Sequence, residues 1–172
     1  MTALIDLNDI ESLRSISLNI DFDSKVKPHV LDAQEFDLRP LIGEEFWIEL
    51  ADDVSAFPDL WEGLTYTHQG HTYQHPGLKA VLVMFAYARY KGSVQQTDTA
   101  YGLVVKTNEH STPVSDRTLA RAEAKAKSGA EIYWTRVRDY LCRKSTTYPL
   151  WKGGSSGRLT GNGLRIRKVS KY

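Results

Sequence analysis

One stretch constrains the fold of this chain more than any other. From Leu78 to Tyr90 nearly every residue is apolar: Leu78, Ala80, Val81, Leu82, Val83, Met84, Phe85, Ala86, Tyr87, Ala88 and Tyr90. A helix that is apolar on almost every face must be covered on almost every face. The stretch therefore predicts a buried central helix over about residues 76–91, with Pro76 in its first turn and Lys91-Gly92 at its end. The apolar run from Ala80 to Ala88 is far short of the roughly 20 residues that cross a bilayer.

The remaining segments read as partners for that helix. Asn8 or Asp9 can cap a short helix ending near Arg14, and Ile16, Leu18 and Ile20 alternate as in a half-buried extended segment. Asp23 or Ser24 can cap a helix carrying Val26, Val30, Ala33, Phe36 and Leu38, which Arg39-Pro40 should bend. Residues 44–51 form an amphipathic stretch with Phe46, Trp47 and Leu50 as its core face, and Phe57 to Trp61 a helical turn stopping at Gly63. Tyr66, Thr67, Thr72 and Tyr73 are strand formers around Gln69-Gly70, which predicts a small β-hairpin over about residues 65–74. Residues 97–102 read as a polar loop and Leu103 to Lys106 as a brief extended run. Ser115 or Asp116 caps the longest helix, about residues 116–144, whose stripe is Leu119, Ala122, Ala126, Ala130, Tyr133, Val137 and Leu141. It is longer than a domain of this size covers, and Gly129 inside it implies a kink or a close contact. The fold class is mainly α: a helical bundle around the central helix and the long C-terminal helix, with one small hairpin.

At 172 residues, 41% hydrophobic and 25% charged, the chain suits one globular domain with a real core. Cys142 is the only cysteine, which excludes an internal disulfide and a cysteine-based zinc site, and its place beside Leu141 reads as a small buried hydrophobe. The N-terminus lacks a basic region and an apolar run, so no signal peptide is expected. A net charge of +1 conceals a polar chain. Residues 1–64 hold fifteen acidic and four basic side chains, a balance of −11, and residues 65–172 carry +12. Either the halves fold together and interleave their charges, or acidic and basic faces stay apart. In the second case copies attract head to tail, and such a heterologous contact closes into a ring or runs on as a filament.

Side chains that could do chemistry are sparse. His68, His71 and His75 lie close in sequence, but a hairpin puts His68 and His71 beside its turn and His75 beyond its second strand. That is neither a helical two-histidine pattern nor a zinc-finger spacing. Ser93, Ser111, Ser115 and Ser145 lack a glycine-bounded elbow, and Gly161-Asn162-Gly163 opens no helix that could cradle phosphate. No catalytic, cofactor or metal-binding residues are expected. The exposed tip, His68, Gln69, Gly70 and His71, is instead a candidate partner contact.

Beyond Trp151 the composition changes. Residues 152–172 contain no acidic side chain and carry Lys152, Arg158, Arg165, Arg167, Lys168 and Lys171 behind a Gly-Ser linker at 153–157. The expected division is a helical domain over 1–151 and a basic, glycine-rich tail over 152–172. Arg158, Arg165, Arg167, Lys168 and Lys171 are candidate contacts, either with an acidic face of a neighbour or non-specifically with DNA phosphates. Residues 164–169 alternate loosely and suit strand addition to a partner.

Six segments in order also resemble a family of phage and prophage structural proteins of the head–tail connector type, found in viruses of Bacteroidetes-type hosts. They are Ala33 to Phe46, His75 to Lys79, Ala86 to Tyr90, Thr99 to Val104, Ser111 to Ser115 and Tyr148 to Trp151. The resemblance runs from about Asp9 to Trp151 and leaves the basic tail outside. It implies a non-enzymatic helical adaptor, about twelve copies forming a ring under the portal protein and continuing the DNA channel toward a downstream neck or tail protein. It also implies a virion protein at the head–tail interface, assembled in the bacterial cytoplasm, without cofactor or membrane partner. The alternatives are another neck or tail-completion protein, a non-specific DNA-binding accessory protein acting through the tail, and a metal-dependent hydrolase built on the histidines.

Overall fold

A computed structural model describes residues 2–17, 19–93, 96–99, 102–105 and 114–153, the runs 96–99 and 102–105 by backbone alone. The protein is mainly helical, as the periodicity predicts. Helix α7, Gly77–Ser93, is its centre, with Leu78, Val81, Leu82, Val83 and Ala86 wholly shielded from solvent. Burying each large aliphatic side chain of this set is worth about 1.5–3 kcal/mol. The helix does not stop at Lys91-Gly92 but runs on to Ser93. Nor does Pro76 open it; Gly77, at φ +82°, is its first residue.

Helix α8, Asp116–Arg143, is capped by the Ser115 side chain, which accepts from the Thr118 N–H. It runs antiparallel along α7: Gly129 faces Met84, and Gly92 lies against Glu123. A Cβ on Gly129 would sit 2.5 Å from the Met84 terminal methyl, so this glycine marks a close contact. The buried face of α8 is Ala126, Ala130, Trp134, Val137, Tyr140 and Leu141. The expected stripe is right at Ala126, Ala130, Val137 and Leu141. Tyr133 is only half-buried while its neighbour Trp134 turns inward, and Cys142 is exposed rather than buried. Before Ala126 no α8 residue is buried, so the first turns stand clear of the core, as the helix length implies.

The N-terminal elements wrap the other sides of α7. Helix α1, Leu7–Leu13, is capped by Asp6 in a reciprocal box with Asp9, not by Asn8 or Asp9. The alternation at 16–20 does not become a strand at its described residues; the Ile20 N–H donates to the Ser17 carbonyl in a turn. Asp21, not Asp23 or Ser24, caps α2, Phe22–Lys25. Helix α3, Lys27–Asp32, then passes into a π-helical segment, Ala33–Leu38, and into α4, Arg39–Ile42. Pro40 therefore sits in a helical first turn and does not bend the chain out of helix. The wide turn before it resolves the conflict: the Arg39 N–H reaches back five residues to the Gln34 carbonyl. A proline ring clashes with the carbonyl four residues earlier, and widening the preceding turn relieves that clash. Inward positions consequently fall every four residues, at Val26, Val30, Gln34, Leu38 and Ile42, while Phe36 is left 67% exposed.

Helix α5, Glu44–Asp52, buries Phe46, Trp47 and Leu50 as expected. A short 3-10 turn, Val54–Ala56, leads to α6, Pro58–Glu62. Strands β1, Leu64–His68, and β2, His71–His75, pair antiparallel in register Leu64↔His75 to His68↔His71. Gln69 at φ +50° and Gly70 at φ +79° supply the left-handed residues of a two-residue turn. A second hairpin joins β3, Gln96–Thr99, to β4, Gly102–Val105, so part of the expected 97–102 loop is strand, whereas the extended run at 103–105 is found.

Candidate functional site

The β1–β2 hairpin is held at its base and exposed at its tip. At the base two backbones cross closely: a Cβ on Gly63 would lie 2.5 Å from the His75 carbonyl oxygen, and one on Gly77 would meet the Trp61 carbonyl oxygen more closely still. His75, the last residue of β2, is 2% exposed and stacks on Tyr140 of α8, centroids 4.2 Å apart. It is therefore a core residue, not part of a histidine group beyond the strand. Its Nδ1 accepts from the Gly77 N–H at 3.3 Å, and Nε2 has no hydrogen-bond partner among the described residues. Burial pushes its pKa down to about 4, against a weaker upward pull from Asp59. Arg143, at the end of α8, lies 3.9 Å over the Tyr73 ring and donates to the Tyr66 hydroxyl at 2.6 Å. One cation thus joins both strands to α8, a cation–π and hydrogen-bond clamp.

The far end of this hairpin presents Gln69, Gly70 and His71 to solvent, with His68 half-buried beside them. These four sequence-predicted contacts lie together around one two-residue turn. Arg158, Arg165, Arg167, Lys168 and Lys171 lie outside the described residues. Among the described residues no three His, Cys, Asp or Glu side chains converge on one point.

Charge placement is mixed. Four ion pairs join the acidic and basic parts of the chain: Lys79 to Asp9 and Glu62, Arg89 to Asp37, and Lys152 to Glu45. The halves do fold together there. Other charges remain outside these pairs. The outer side of α5 carries exposed Glu49 and Asp52, and the protruding part of α8 carries exposed Arg117, Arg121 and Lys125, none ion-paired among the described residues. Helix α5 packs against the chain that follows the C-terminal end of α8, through Phe46 with Tyr148 and Glu45 with Lys152. The 28 residues of α8 span about 42 Å at 1.5 Å per residue. Glu49 and Asp52 therefore stand near one end of α8 and Arg117, Arg121 and Lys125 near the other, where exposed Asp116 and Glu123 also lie.

Three features escaped the sequence reading. Gln34 is wholly buried and clamps the N-terminal segment, accepting from the Leu4 N–H at 2.8 Å and donating to the Thr2 carbonyl at 3.1 Å. Residues 2–6 and Asp9 also border a cleft of about 360 Å³ with Phe22 and Lys27. A second groove, about 280 Å³, lies between Phe46 and Glu49 of α5, Phe57, and Thr147 to Leu150.

Fold and surface define a mainly helical protein with an exposed hairpin tip and with charges left outside ion pairs on α5 and on the first turns of α8. The chain belongs to a family of unknown function (DUF6712), whose model matches residues 38–161. No curated protein and no solved structure matches it.

Proposed function

We propose that the protein is a virion structural protein: a head–tail adaptor that forms a ring with copies of itself between portal and tail, continues the DNA channel, and makes or breaks no bond. The observation that carries the reading is the separation of Glu49 and Asp52 from Arg117, Arg121 and Lys125 along the length of α8. One copy can offer its acidic end to the basic end of the next, and complementary charge of this kind steers and registers an association. Connector-like segments from Ala33 to Trp151 support the same reading. The exposed tip from His68 to His71 then reaches a portal or tail neighbour. Electron microscopy of the phage particle encoding this chain tests the proposal. The expected result is a ring of this protein at the head–tail vertex; its location elsewhere, or as a lone subunit, refutes it.

A second reading rests on the basic composition after Trp151: non-specific binding of double-stranded DNA. It predicts affinity for unrelated duplexes that falls steeply with salt, and a filter-binding assay that detects none at low salt removes it.

A further inference from the structure

The outer side of α5 is an exposed stripe whose one ion pair among the described residues is that of Glu45 with Lys152. Glu45, Ile48, Glu49 and Asp52 are all exposed, and their spacing of three and four residues puts them on one face. Ile48, 60% exposed, sits among three carboxylates. Beside this stripe the groove of about 280 Å³ opens between Phe46, Phe57 and Pro149, with Glu49 on its border. An apolar groove edged by Glu49, beside a helix face that also carries Glu45 and Asp52, suits a segment that alternates cationic and apolar side chains. Lys152 already meets this surface: its Nζ lies 2.6 Å from the Glu45 carboxylate.

The geometry points to the chain's own basic segment, residues 164–169, as the occupant of this groove and stripe. That segment reads Leu164, Arg165, Ile166, Arg167, Lys168, Val169, three apolar side chains among three cations. It begins eleven residues after Gly153, the last described position, which follows the groove residue Leu150 by three residues. Ten intervening residues extend to at most about 35 Å, whereas α5 is about 13 Å long. Reach is no obstacle, and a tether this short gives the segment a high effective concentration at α5. Docking does not depend on the ring reading. Its consequence does: a segment lying on Glu49 and Asp52 competes with the basic end of a neighbouring copy and holds the free protein apart until assembly displaces it.

The test uses the full chain as an equal mixture of light and heavy isotope-labelled copies. Carbodiimide coupling should join Lys168 or Lys171 to Glu45, Glu49 or Asp52 within copies of one label. In a Glu45→Gln, Glu49→Gln, Asp52→Asn variant with an unchanged melting temperature, trypsin should cut after Arg165 and Arg167 severalfold faster than in the parent. Equal cleavage rates, or coupling of these lysines only to other carboxylates, overturns the docking. Coupling only between differently labelled copies also overturns it, but leaves the ring reading standing.

Discussion

The imidazole of His75 lies flat against the ring of Tyr140, their planes 25° apart, and so couples the end of a hairpin to the last turn of the longest helix. Tyr66 meets both rings edge-on and Tyr148 lies 5.9 Å from Tyr140, so an apolar aromatic shell surrounds a base. That shell favours neutral imidazole.

A loss of stability in mild acid follows. The folded-state pKa of His75 is about 4, below its ordinary 6.5, so between these values the unfolded chain binds the extra proton. This group leaves stability unchanged above pH 6.5 and lowers it as pH drops toward 4, by about 3 kcal/mol at full extent. His29, also depressed by burial, adds to the fall with the same sign. Urea unfolding from pH 7 to 4 should show a flatter slope for His75→Phe than for the parent, because phenylalanine keeps the stacking and cannot titrate. Equal slopes would exclude His75 as the source.

Gln34 tethers the N-terminus through the π segment. Gln34→Ala removes two hydrogen bonds and leaves a cavity, a combined loss of about 2–4 kcal/mol. Its specific signature is amide exchange at Leu4, which should accelerate more than exchange in α7. A uniform acceleration everywhere would mean that only global stability had changed.

Two glycines with nearly the same backbone angle should respond differently to alanine. Gly70, at φ +79°, has open space where a Cβ would stand, so Gly70→Ala costs only the left-handed strain of about 1–2 kcal/mol. Gly77→Ala at φ +82° drives a methyl against the Trp61 carbonyl and must separate the crossing at the hairpin base. Thermal unfolding should show a modest decrease for the first and a much larger decrease, or no folded protein, for the second. Similar decreases would refute the close crossing.

Complementary ends can be tested by exchange of charge. An Arg117→Glu, Arg121→Glu variant and a Glu49→Lys, Asp52→Lys variant should each fail to form a ring on purified portal, having lost the attraction between ends. Mixed together they should assemble in alternation, since each supplies the charge that the other lacks. Native mass spectrometry counts the copies; assembly of either variant alone at parental yield would rule out this contact.

Elements whose cause is local were legible in the residues alone. The apolar run at 78–90 had to be the covered helix, Gln69-Gly70 had to turn a hairpin, and Ser115 could cap the helix that follows because its side chain reaches only its own next turn. The exposed hairpin tip followed from the same local logic. Everything else waited on packing between distant segments. A helix of 3.6 residues per turn predicts one inward face, but the π segment ahead of Pro40 re-phased it and put Gln34 inside and Phe36 outside. Which of Tyr133 and Trp134 turned inward, and whether Cys142 was covered, depended on how α8 crosses α7, with Gly129 against Met84. His75 is buried because Tyr140, sixty-five residues away, comes to lie on it. The acidic and basic totals could be counted along the chain, whereas their partial pairing required it to fold, because Coulomb attraction depends on distance through space and not on distance along the chain.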